Sequence, residues 1–149
     1  MKPDVYKRHI KNFSNHWWFQ ARKKIIESII SKNFKRKLNI LDFGSGSGVN
    51  IKMLSKFGFV NIYEPHLKTT KYLKLKYQNA KKFKVLKKIG KNKFDLIILA
   101  DVLEHIRYDK KELKKLSENL NKNGHILITV PAYKFLFSIK DKILGHHRR

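Results

Sequence analysis

The chain predicts an α/β domain built on a mostly parallel sheet with flanking helices, and three stretches carry that expectation. Asn39-Ile-Leu-Asp-Phe43 reads as a short buried strand; it runs into Gly44-Ser-Gly-Ser-Gly48 and then into a helical pattern from Val49 to Leu54. Strand, glycine turn and helix in that order open a ligand-binding α/β unit. Phe59 to Glu64 reads as a second strand whose acidic end falls 22 positions after Asp42. Phe94-Asp-Leu-Ile-Ile-Leu-Ala100 is a near-continuous apolar run, as expected of a central parallel strand buried on both faces.

Composition narrows the class further. A chain of 149 residues is one domain with room for a proper core. We divide it into an N-terminal helical lid (1–37), a binding core (38–131) and a C-terminal segment (132–149). There is no cysteine, so disulfides and thiolate metal sites are excluded. No apolar run approaches the ~20 residues that span a bilayer. Met1-Lys-Pro-Asp4 is not followed by an apolar h-region, so a cytoplasmic location is the default expectation. The net charge of +24 raises a nucleic-acid partner but does not favour it. Lysine far outnumbers arginine, Ile and Asn are abundant, and the lysines are spread over every segment. That combination is the codon signature of an AT-rich genome and not a basic stripe.

In chain order, Asn15 to Phe19 opens a helix. Trp18, Arg22, Ile25, Ile29 and Ile30 fall on one face at a 3.6-residue period. This helix is expected to act either as core packing or as a lid, with Arg22 reaching a ligand carboxylate. After the glycine turn the helix is expected to run to about Phe57, with Gly58 as its left-handed terminator. Pro65 breaks the second strand. Leu67 to Tyr77 reads as an amphipathic helix, with Leu67, Thr70, Leu73 and Tyr77 near one face. Phe83 to Leu86 is a weak third strand. Asp109 and Glu112 look like a capping box opening a helix that buries Leu113, Leu116 and Leu120 and ends at Asn123-Gly124. His125 to Val130 is a fifth strand stopped by Pro131.

The polar residues at the strand ends suggest chemistry. Asp42, just before the glycines, would repel a pyrophosphate and suits a ligand carrying a cationic ammonium or sulfonium. Glu64 is placed to accept hydrogen bonds from the ribose hydroxyls of an adenosine group. His105, past the fourth strand, is a candidate general base, with a packing histidine as the plainer reading. No metal set is visible: His146 and His147 are adjacent, but no third ligand stands near them in sequence.

Leu41-Asp-Phe-Gly-Ser-Gly-Ser-Gly48, Tyr63-Glu-Pro65 and Phe94 to Ile106 together resemble the successive motifs of class I S-adenosylmethionine-dependent methyltransferases. The last is similar to the small-molecule branch that includes the ubiquinone-biosynthesis O-methyltransferases. The resemblance covers roughly residues 15–149 and implies a Rossmann-like fold, S-adenosylmethionine as cofactor and a small-molecule acceptor. It implies that Asp42 organises the glycine loop near the methionine end, that Gly44, Ser45, Gly46 and Gly48 line the cofactor, and that Glu64 and Pro65 hold the ribose. Ala100 and Asp101 would pass along the adenosyl–methionine junction, and Arg22 would meet the cofactor carboxylate.

Two departures stand out. Lys87-Lys88-Ile89 occupies the place where many members carry an acidic residue for the adenine. The family normally adds two more strands after the fifth, so this chain is expected to lack them, with a partner covering the open edge. The rival functions are RNA methylation, which lacks an Asn-Pro-Pro-Tyr-type motif after the fourth strand, and a cofactor-binding remnant or module that needs a partner.

Overall fold

The computed structural model describes residues 17–149. The helix opening at Asn15 and His16, and residues 1–16 of the expected lid, lie outside the described residues. The elements are α1 (Trp17–Asn33), β1 (Leu38–Phe43), α2 (Ile51–Leu54), β2 (Gly58–Tyr63), α3 (Leu67–Lys76), β3 (Phe83–Val85), β4 (Phe94–Ala100), α4 (Asp109–Ser117), β5 (Leu120–Thr129) and α5 (Ile139–Leu144). Short 3-10 turns follow β4 at Leu103–His105 and β5 at Lys134–Leu136.

The five strands form one sheet in the order β3-β2-β1-β4-β5, every neighbouring pair parallel. The expected Rossmann-like α/β architecture is therefore present. Alternation along β1 and β4 sends Ile40, Leu96 and Ile98 into one apolar layer with α1, α2 and α3, and Leu41, Ile97 and Leu99 into the other with α4. Both layers are apolar and buried, which explains the unbroken apolar runs of the central strands. β5 lies at one edge of the sheet, and Ile128 within it is 37% exposed.

Several local expectations need correction. The face α1 buries is Arg22, Ile26 and Ile30, at strict four-residue spacing, while Trp18, Ile25 and Ile29 are exposed. The doublets Ile25-Ile26 and Ile29-Ile30 fit two rotations of the helix equally, and only packing against α2 and β1 selects one. α2 is a single short turn and ends at Leu54. Gly58 is not a left-handed cap. It begins β2 where a Cβ would lie 1.9 Å from the Leu38 carbonyl oxygen, so the glycine is required by close backbone approach.

α3 buries Thr69 and Leu73 and leaves Leu67 exposed. Asp109 does not cap α4: it is the first helical residue, accepting from the Lys110 N–H (2.8 Å) and pairing with Arg148. α4 ends at Ser117. Asn123 (φ 64°) sits inside β5, where the pairing with β4 jumps from Phe94–Leu120 to Leu96–His125. A bulged strand explains that asparagine, not a helix terminus.

The tail returns to the sheet. Ser138 and Asp141 make a reciprocal capping box at the start of α5, the Ser138 N–H donating to Asp141 Oδ2 at 2.7 Å. Gly145 (φ 79°) ends the helix, and the His147 N–H donates to the Glu104 carbonyl at 2.8 Å. Among the described residues no helix is long and apolar enough to cross a membrane.

Candidate cofactor site

Parallel strands deliver their C-terminal ends to one side of the sheet, and the predicted residues converge there. Asp42 is in β1, Glu64 follows β2, Ala100 ends β4 and Asp101 follows it. Gly44, Gly46 and Gly48 all have positive φ (70°, 53° and 78°). The same backbone conformation serves different surroundings. A Cβ on Gly44 would lie 2.8 Å from Val102, and one on Gly48 2.7 Å from Ile51; one on Gly46 would meet nothing within 4 Å. The middle glycine therefore borders open space, as a ligand-facing position must.

The loop is fastened to β2. The Gly44 N–H donates to the Tyr63 carbonyl (2.8 Å), and the Ser45 hydroxyl donates to the Asp42 carbonyl (2.7 Å). Glu64 bridges the loop to the next turn: Oε2 accepts from the Gly46 N–H and Oε1 from the His66 N–H, each at 2.9 Å. Its carboxylate is thus fixed in orientation, with lone pairs remaining for two hydroxyls. Pro65 is exposed beside it.

Arg22 reaches this end of the sheet from α1. It is buried, with its guanidinium 5.0 Å from the Phe19 ring centroid, and it pairs with Asp101. Asp101 holds a left-handed backbone (φ 55°) uncommon for a residue with a side chain. Thr129 maintains it: the Asp101 N–H donates to the Thr129 carbonyl (3.0 Å), and the Thr129 hydroxyl donates to Asp101 Oδ1 (2.8 Å). Sequence reading missed Thr129, because its role depends on the pairing of β4 with β5.

Electrostatically the site is incomplete. The buried guanidinium of Arg22 acts on Asp42 and Glu104 as well as on Asp101. Asp42 Oδ2, Glu104 Oε2 and Arg22 Nε are buried without a hydrogen-bond partner. Burial pushes the Asp42 carboxyl up to about 7, opposed by Ser45 and the Arg22 charge and reinforced by Glu64. Burial likewise raises Glu104 and lowers Arg22. Burial thus holds Asp42 and Glu104 toward the uncharged form, and a ligand ammonium or sulfonium would favour the ionised one.

His105 packs against the tail. Its Nδ1 is 3.3 Å from the Gly145 carbonyl and its ring meets His146 edge-on, 4.7 Å between centroids. Burial, then the His146 charge, lowers its pKa. Its partners are thus on the tail. Lys87 and Lys88 are exposed, and Ile89 packs against the second core layer, so this segment offers an adenine ring no carboxylate. A separate cleft of about 280 Å³ opens beside Gly48, Val49 and Asn50, walled by Phe19, Lys23 and Tyr77.

Comparison with known proteins places this geometry. Residues 15–148 match the family model described as a methyltransferase domain. The chain is 28% identical to a ubiquinone biosynthesis O-methyltransferase from Rickettsia typhi, over 95% of this chain and 69% of that protein. The fold matches that of a putative sarcosine dimethylglycine methyltransferase from Galdieria sulphuraria with a TM-score of 0.72 at 17% identity, over 88% of this chain and 57% of that one. It also matches coclaurine N-methyltransferase, solved with N-methylheliamine and SAH, with a TM-score of 0.61 at 17% identity. That match covers 71% of this chain, which spans about a third of its relative (34%).

Proposed function

The chain belongs to the methyltransferase domain family, and from that premise we propose that it binds S-adenosylmethionine over the glycine loop and directs its methyl group to a small-molecule acceptor. The observation that carries the reading is the buried Asp42, with an unpartnered oxygen, beside three left-handed glycines.

The residues fit the cofactor group by group. The cluster around Asp42 suits an ammonium, Arg22 suits a carboxylate, the space over Gly46 admits a backbone-hugging ligand, and Glu64 suits a ribose diol. When bound, the cofactor supplies a methyl group already activated on sulfur. The protein's task is then to position the acceptor and exclude water. A base is needed only where the acceptor must lose a proton; we assign no such role to His105, whose described contacts lie on the tail.

A small acceptor is supported by the kind of relatives the chain resembles. RNA methylation has only the net charge in its favour. A further strand or a partner along β5 belongs to the same proposal, since Ile128 and Val130 are exposed there.

Calorimetry against S-adenosylhomocysteine and NAD tests the reading; tight NAD binding with no response to S-adenosylhomocysteine would overturn it. Glu64→Gln keeps the shape and removes the charge, so it should weaken cofactor binding by about 1–2 kcal/mol. Unchanged affinity would remove the ribose role from Glu64. Single-turnover transfer to a panel of phenolic and amine acceptors separates an enzyme from a binding remnant.

A further inference from the structure

We propose that Glu104, His105 and His146 form a binding site for one divalent ion of the zinc type, which fastens the C-terminal segment onto the end of β4. One ligand atom from each lies within 4.8 Å of the others. The three residues come from two distant segments: the 3-10 turn after β4 supplies Glu104 and His105, and the turn after α5 supplies His146. His147, the sequence neighbour that made the pair look like a bare basic end, uses only its backbone N–H here, to hold the Glu104 carbonyl.

Two observations independent of proximity point to an ion. The first is Glu104, which is 2% exposed and whose Oε2 has no hydrogen-bond partner. A buried carboxylate oxygen left without a donor is costly. The Arg22 charge acts on Glu104, but its guanidinium hydrogen-bonds to Asp101 and leaves Glu104 Oε2 without a donor.

The second is the orientation of both rings. His105 Nδ1 faces the Gly145 carbonyl (3.3 Å), and His146 Nδ1 faces Asp141 Oδ1 (3.0 Å). Carbonyl and carboxylate oxygens can only accept, so both Nδ1 atoms carry the hydrogen and both Nε2 lone pairs remain for a ligand. This is the outer arrangement that holds metal-binding histidines in the correct tautomer. Asp141 is itself pinned, accepting from the Ser138 N–H (2.7 Å) and from Arg149 Nε and Nη2 (3.0 Å each).

Two imidazole nitrogens and one carboxylate oxygen suit Zn2+ and disfavour Mg2+ or Ca2+, which take oxygen ligands; a water completes the set.

The test uses the full 149-residue chain after chelation and dialysis, titrated with ZnCl2 by calorimetry and followed by thermal melting. One Zn2+ per chain should bind and raise the melting temperature, while MgCl2 at the same concentration should do neither. Glu104→Gln and His146→Asn should each weaken Zn2+ at least about 100-fold, and His147→Asn should change it less than about threefold. Should a variant fold poorly, the Co2+-loaded wild type serves in its place: its visible absorption should show four-coordinate nitrogen and oxygen ligation and vanish on adding Zn2+. Absence of stoichiometric Zn2+ binding by the wild type would overturn the proposal. So would affinity unchanged in His146→Asn, or lost equally in His147→Asn, or six-coordinate Co2+ bands like those of the aqueous ion.

Discussion

Asp42 and Asp95 sit in adjacent parallel strands, β1 and β4, near opposite ends of one sheet, and both are buried. Their surroundings differ completely. Asp95 accepts from Arg36 Nη2 (2.9 Å), the Asn39 N–H (2.7 Å) and Asn121 Nδ2 (3.0 Å). The Arg36 hydrogen bond leads in holding its pKa down to about 2. Asp42 has an oxygen with no donor and is pushed up to about 7 by burial. One end of the sheet satisfies its charge internally and serves stability. The other leaves one carboxyl oxygen without a protein donor, the arrangement that the proposed ligand would complete. The same residue type on the same sheet is thus read by its hydrogen-bond complement, not by its burial.

The contrast breaks most visibly at the structural end. Asp95→Ala removes three acceptor contacts and leaves the Asn39 N–H without its partner, so it should lower unfolding free energy by about 2–4 kcal/mol in urea titration. A loss under about 1 kcal/mol would mean that the Asp95 network is not structural.

The pH dependence of stability sharpens the comparison further. Asp42 has a folded pKa raised above its unfolded value near 3.8, so its stabilising contribution is full below pH ~3.8 and is lost as pH rises through about 7. Asp95 runs the other way: its contribution is present above ~3.8 and is lost as pH falls toward about 2. The ligand-free wild type should therefore lose about 1–3 kcal/mol relative to Asp42→Asn between pH 5 and pH 8. A pH-independent difference between the two would show that Asp42 is ionised throughout.

Within the glycine loop the effects are smaller and should divide by position. Gly44→Ala meets Val102 as well as the left-handed backbone and should cost about 2 kcal/mol of stability. Gly46→Ala has open space and should cost only about 1 kcal/mol, its larger effect appearing in cofactor affinity. Equal stability losses with equal affinities would erase the distinction between a packed and a ligand-facing glycine.

What the sequence revealed follows from how local each signal is. The glycine spacing, Asp42, the acidic residue after β2 and the apolar β4 are written in consecutive residues, and the fold brings them to the elements expected of them. The α1 face was ambiguous because paired isoleucines satisfy two helical rotations, and only the tertiary neighbours choose Ile26 and Ile30. Glu104 and Thr129 are not legible as candidate site residues because their partners lie far along the chain: the His147 N–H meets the Glu104 carbonyl, and Thr129 meets Asp101 across β4 and β5. The available hints are local and weak, namely a Ser138-x-x-Asp141 capping box and the polar pair Glu104-His105 between Leu103 and Ile106.

The central claim is that Asp42 is held uncompensated for a cationic ligand group. The direct test is calorimetric affinity for S-adenosylhomocysteine from pH 6 to pH 8, for the wild type and Asp42→Asn. A carboxyl with a pKa of about 7 must lose its proton to meet an ammonium. Wild-type affinity should therefore rise by about tenfold across that range, with proton release seen as a dependence on buffer ionisation enthalpy. Asp42→Asn should bind more weakly and with little of that pH dependence. Equal affinity and equal pH profiles in the two proteins would contradict the account.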